Sequence, residues 1–112
     1  MLKIDVHTHI IPRHMPKWTE KFGYGKFIHL EDSNREGFAR MMQGDKFFRE
    51  IEANCWDEQI RMDEYDESGV SVQVICTIPV MFSYDAKPAD TLELGRFLND
   101  HIADLVNRFP KK

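Results

Sequence analysis

The sequence predicts an α/β chain with a parallel sheet. Three observations carry this reading. A strictly alternating stretch opens the chain, a β-branched run lies at residues 70–76, and a capped helical segment adjoins that run on each side. Strand, helix, strand, helix is the order that builds a parallel sheet with crossover helices.

Each element has its own signal. In Leu2-Lys3-Ile4-Asp5-Val6-His7, an extended backbone sends Leu2, Ile4 and Val6 to one side and Lys3, Asp5 and His7 to the other. Residues 10–56 follow no period and hold three glycine-containing turns and many aromatics. Phe27-Ile28-His29-Leu30 and Lys46-Phe47-Phe48-Arg49 predict short strands of a small antiparallel piece, so 10–56 is an elaborated loop inserted after the first strand. Asp57 predicts an N-cap for a helix reaching about Ser68, and Gly69 its stop. The apolar face of that helix is thin: Ile60, Met62 and Tyr65. Val70-Ser71-Val72-Gln73-Val74-Ile75-Cys76 predicts the second strand. Asp90-Thr91-Leu92-Glu93 has capping-box spacing, and Leu94, Phe97, Leu98, Ile102, Leu105, Val106 and Phe109 form a helical stripe that Pro110 ends.

Two strands do not complete a parallel sheet, which wants both faces covered. The 112 residues are therefore expected to be the first portion of a larger array, ending after the second βα unit. A (β/α)8 barrel needs roughly 250 residues.

Composition narrows the function class. Fifteen Lys+Arg against 19 Asp+Glu leave a net charge of −4, which argues against a nucleic-acid binder. No apolar run reaches bilayer length. Two cysteines, Cys55 and Cys76, are too few for a disulfide framework. With no signal peptide expected before the first strand, a cytoplasmic location is expected.

The chemistry-bearing residues follow the first strand. His7 and His9 at i and i+2 of an extended segment share one face and can reach one metal ion. Asp5 is expected on that face, supporting the site from below. Strand C-terminal ends are where parallel α/β folds place their chemistry, and neutral imidazole suits Zn²⁺ or another divalent transition metal. A catalytic zinc site wants three protein ligands and an open position. His14, His29 and His101 are expected in exposed or packing roles instead. Arg49 could clamp a substrate carboxylate in a bidentate pair, or make a surface pair with Glu50 or Glu52. Cys55 has no histidine beside it in sequence and is not read as a nucleophile. Trp56 anchors the segment before the Asp57 cap. Met81 and Phe82, in the loop after the second strand, wall a pocket or pack as a lid.

These residues resemble a known family. Ile4-Asp5-Val6-His7-Thr8-His9-Ile10-Ile11-Pro12 is similar to the opening of the amidohydrolase superfamily. Phe22-Gly23-Tyr24-Gly25, Asn54-Cys55-Trp56-Asp57 and the run from Pro79 to Pro88 are more specific. With Asp90-Thr91-Leu92 they resemble the N-terminal third of the 2-amino-3-carboxymuconate-6-semialdehyde decarboxylase family. Asp85 departs from the version in which an aromatic often precedes Ala-Lys-Pro, which bears on local pocket shape.

The resemblance implies a distorted TIM-type (β/α)8 barrel with one Zn²⁺. It implies His7 and His9 as metal ligands and Arg49 as the substrate-carboxylate residue. Further ligands and the acid/base histidine are expected beyond residue 112. It implies non-oxidative decarboxylation of the semialdehyde in tryptophan (kynurenine) catabolism, at the branch leading away from quinolinate. It implies a homodimer and a small-molecule carboxylate substrate; from the charge balance and the short apolar runs, neither a nucleic-acid nor a membrane partner is expected. Two other readings stand beside it: another decarboxylase or a hydrolase of the same superfamily, and a catalytically incomplete chain acting as an interaction module.

Overall fold

The computed structural model describes residues 1–110 and divides their strands between two sheets. β1 (Ile4–Ile10) and β5 (Val72–Thr77) form a parallel pair. Between them in sequence, β2 (Ile28–Asp32), β3 (Phe38–Gln43) and β4 (Lys46–Glu52) form an antiparallel sheet in the order β2-β3-β4. The helices are the short α1 (Trp18–Phe22), α2 (Glu58–Ser68) and α3 (Pro88–Arg108). The fold is mixed α/β, with one parallel pair and one antiparallel sheet.

Several elements follow their local chemistry. Asp57 caps α2 by accepting the Ile60 N–H at 3.0 Å, as its residue type predicts. Gly69 closes α2 at φ +78°, in the left-handed region that glycine enters without a Cβ penalty. The stripe of α3 buries Leu94, Leu98 and Leu105, while Val106 stays exposed.

Three expectations are corrected. β1 begins at Ile4 and runs through Ile10, so His7 and His9 lie within the strand and not beyond it. The cause is pairing: β5 continues to Thr77 and holds His9 against Cys76 and Ile10 against Thr77. α3 starts at Pro88, whose fixed φ suits a first helical position. The Asp90 carboxylate, expected as its cap, instead accepts the Tyr24 hydroxyl at 2.7 Å. The loop segment holds three strands rather than two, because Phe38–Gln43 pairs between the two that were expected.

One core joins these pieces. Ile28, Leu30, Ala39, Met41 and Ile51, from one face of the antiparallel sheet, pack with Ile11, Trp18, Met81, Leu94 and Leu98. The Ile11 N–H donates to the Cys55 carbonyl at 3.0 Å, tying the end of β1 to the turn before α2. On the other sheet face, buried His29 places Nε2 2.6 Å from the Glu31 carboxylate.

Leu94 is 2% exposed in this core. Leu94→Ala should cost about 2–5 kcal/mol of unfolding free energy, read as a lowered urea midpoint with little change in slope. The hydrogen bond from His29 holds the Glu31 carboxyl below the usual glutamate range. A carboxylate lowered on folding stabilises the protein above its unfolded pKa and loses that contribution as pH falls. Urea melts should therefore show Glu31→Gln less stable than the parent at neutral pH, with the gap closing on acidification.

Candidate metal and substrate site

β1 carries an irregularity at its centre. Asp5 pairs with Gln73 and Thr8 with Ile75, so three steps along β1 match two along β5. Such a bulge changes which residues share a face. Asp5 and Thr8 both turn toward α2, where Tyr65 Oη lies 2.8 Å from Asp5 Oδ2 and 3.1 Å from Thr8 Oγ1. Asp5 therefore does not sit beneath the histidines as expected. Its other oxygen accepts the His7 backbone N–H at 3.1 Å. These two hydrogen bonds hold its carboxyl below the usual aspartate range, the Tyr65 bond having the larger effect.

The two imidazoles meet, with ring centroids 5.1 Å apart in an edge-on arrangement. His7 is exposed and His9 half-buried. His9 Nδ1 lies 3.2 Å from the Thr77 carbonyl oxygen, an acceptor only. A proton on Nδ1 satisfies that contact and leaves the Nε2 lone pair free to ligate. Cys76 Sγ stands 3.0 Å from the same Nδ1, and its thiol donates to the Thr8 carbonyl at 3.6 Å. Cys76 was not singled out from the sequence. The β1–β5 register, which pairs His9 with Cys76, is the signal that finds it.

The donor chemistry fits part of a metal shell. His7 and His9 offer two imidazoles on one strand. Among the described residues, no group of three or more His, Cys, Asp or Glu side chains is arranged to hold a metal ion.

Arg61, unremarked in the sequence, is the buried charge of the region at 7% exposure. Its Nη2 donates to Thr8 Oγ1 at 2.6 Å and to Gln73 Oε1 at 3.0 Å, and its Nη1 donates to the Asn54 carbonyl at 2.8 Å.

Arg49 lies on β4 opposite Met41. Met41 and Ile51 face the core; Arg49 alternates onto their side of the strand but is itself exposed. Its guanidinium stands over the Phe48 ring at 5.3 Å. The alternative pair with Glu50 does not form, because Glu50 accepts from Ser33 Oγ at 2.6 Å and Arg35 Nη1 at 2.8 Å.

The pocket residues separate. Met81 is buried in the core, while Phe82 is largely exposed; both border a cleft of about 270 Å³ with Tyr24 and Ser83. Trp56 lies under the Arg13 guanidinium at 5.8 Å and borders a different hollow, with His14 and His101. Burial pushes the His101 imidazole below the usual histidine range and raises the Cys55 thiol, which disfavours the thiolate.

No protein-family model matches the chain. Over 111 residues, 99% of its length, it is 50% identical to a Dictyostelium discoideum protein named 2-amino-3-carboxymuconate-6-semialdehyde decarboxylase. It is 44% identical over 110 residues to a Caenorhabditis elegans protein of the same name, and 37% identical over 51 residues to one from Sus scrofa. The chain spans 31% of the length of the first relative and 27% of the second. The resemblance read from the sequence thus extends through nearly the whole chain and about a third of these relatives.

Proposed function

We propose that this chain provides two metal ligands and a substrate-carboxylate residue of a metal-dependent decarboxylase acting on 2-amino-3-carboxymuconate 6-semialdehyde. The observation that carries the chemistry is the orientation of His9. Its Nδ1 is engaged by the Thr77 carbonyl, its Nε2 is free, and its ring adjoins His7. The names of relatives matched along the whole chain support the substrate. The proposed setting is a (β/α)8 barrel in which β1 and β5 are neighbouring strands. The exposure of Val6 (75%) and Val74 (52%) accords with a sheet face that further strands would cover.

In this reading His7 and His9 would hold Zn²⁺ or another divalent transition metal. When bound, such a metal supplies Lewis acidity that makes hydroxide available near neutral pH. Arg49 binds a substrate carboxylate through its planar fork and orients the conjugated chain. The Thr77 carbonyl keeps the proton on His9 Nδ1 and fixes the ring plane. The proposed step is non-oxidative loss of CO₂ from the conjugated acid, and the family resemblance implies a setting in tryptophan catabolism, at the branch away from quinolinate.

Calorimetric titration should show Zn²⁺ binding to the chain through its histidine pair. His9→Ala should abolish that binding while circular dichroism stays unchanged; retained stoichiometric Zn²⁺ would refute the ligand assignment. The substrate is tested by exchanging the matching segment of the Dictyostelium relative for this chain and following semialdehyde consumption. The exchanged protein should turn over the substrate. Adding Arg49→Ala should lower kcat/KM by on the order of 2–5 kcal/mol with metal content unaltered. Turnover of a hydroxybenzoate in place of the semialdehyde would point to another decarboxylase of the superfamily.

A further inference from the structure

We propose that Arg61 and Tyr65 of α2 are positioning residues for the His7–His9 pair, acting through Thr8 and Asp5. The inference rests on the reading of that pair as metal ligands only for its metal readout.

A continuous hydrogen-bond chain supports it. Arg61 Nη2 donates to Thr8 Oγ1 at 2.6 Å, and Thr8 Oγ1 lies 3.1 Å from Tyr65 Oη. Tyr65 Oη lies 2.8 Å from Asp5 Oδ2, and Asp5 Oδ1 accepts the His7 N–H at 3.1 Å. A phenol has one proton to give. The ionised Asp5 takes it, so the Thr8 hydroxyl donates to Tyr65. Donation then runs from the buried guanidinium through Thr8 and Tyr65 to the Asp5 carboxylate, which also accepts the His7 N–H.

The chain grips β1 at the bulge. Residues 5 and 8 are drawn to α2, although they differ by an odd number of positions and would face opposite ways in a regular strand. His7 lies inside this step and His9 follows it. Thr8, the residue between the two imidazoles, is buried and held by both α2 side chains. Arg61 also holds Gln73 of β5 and the Asn54 carbonyl, so the anchor is fixed against three other segments. Partners behind metal-binding histidines commonly govern affinity without touching the metal.

The test uses the 112-residue chain and two variants, Tyr65→Phe and Arg61→Lys. Imidazole ¹H–¹⁵N spectra of the metal-free protein report each histidine, Zn²⁺ titration reports affinity, and circular dichroism reports fold. In folded Tyr65→Phe, the resonances of His7 and His9 should move while those of His14, His29 and His101 stay. Zn²⁺ affinity should fall at least about tenfold. Arg61→Lys, which keeps the charge but loses the planar fork, should give the same pattern. Unmoved His7 and His9 resonances overturn the proposal. So does movement of all the histidines, or loss of fold in Tyr65→Phe, since either would make the pair structural only. Moved resonances in a chain whose parent binds no Zn²⁺ would leave the positioning standing and sink the metal reading instead.

Discussion

A buried guanidinium has to be surrounded by acceptors, and much of the parallel half of the molecule is arranged around meeting that demand for Arg61. Removing a charge from water carries a large penalty unless hydrogen bonds replace the lost solvation. The acceptors that replace it come from separate places: Thr8 on β1, Gln73 on β5, and the Asn54 carbonyl in the turn before α2. Arg61 Nε is buried with no partner, so the arrangement has no surplus acceptor. α2 offers little apolar surface to hold it, since Ile60 is exposed and Arg61 is its one buried residue. The docking of α2 on the parallel pair is therefore mainly polar and directional, which fixes its rotation more tightly than a greasy stripe could.

The antiparallel half obeys the opposite logic. Its inner face is apolar and meets Trp18, Met81, Leu94 and Leu98 in a close-packed cluster. Polar contacts there work at the edges. Tyr24 Oη donates to Asp90 and accepts the Lys87 N–H at 2.9 Å, pinning the start of α3 to the turn before β2. Arg13, just beyond β1, pairs with Asp32 at the end of β2. Each half is thus rigid for its own reason, and the Ile11–Cys55 hydrogen bond joins them where β1 enters the core.

The parts legible in the sequence are those where one physical signal acts alone. Asp57 and Gly69 punctuate α2 because capping and left-handed backbone depend on single residues. The stripe of α3 is readable because one side faces the core. β3 was not readable because both of its faces are covered: Met41 packs in the core and Met42 is buried on the other face, level with His29. Alternation vanishes when both sides want apolar residues. The bulge in β1 was hidden for a related reason. Ile4-Asp5-Val6-His7 alternates cleanly, and only the partners of Asp5 and Thr8, far along the chain in α2, reveal the extra residue. Arg61 read as a solvated helix position, since a polar residue on a weakly amphipathic helix gives no sign of which way it points. The histidine pair was visible as a spacing, but the tautomer of His9 depends on Thr77, a contact no local pattern encodes.

This division places the proposed chemistry at a junction of two kinds of rigidity. The histidines stand on the polar-anchored pair, whose strand register and bulge set where their nitrogens lie. Arg49 stands on the apolar-anchored sheet, opposite Met41, whose side chain is sealed in the core. A ligand held at both ends would read the spacing between the halves, and Ile11, the residue after β1, is one of the contacts that joins them. Its side chain is buried with Trp18 and Leu94, and its N–H is bound to the turn before α2. A change there would disturb the distance between metal-type and carboxylate-type groups while leaving each group's own supports in place.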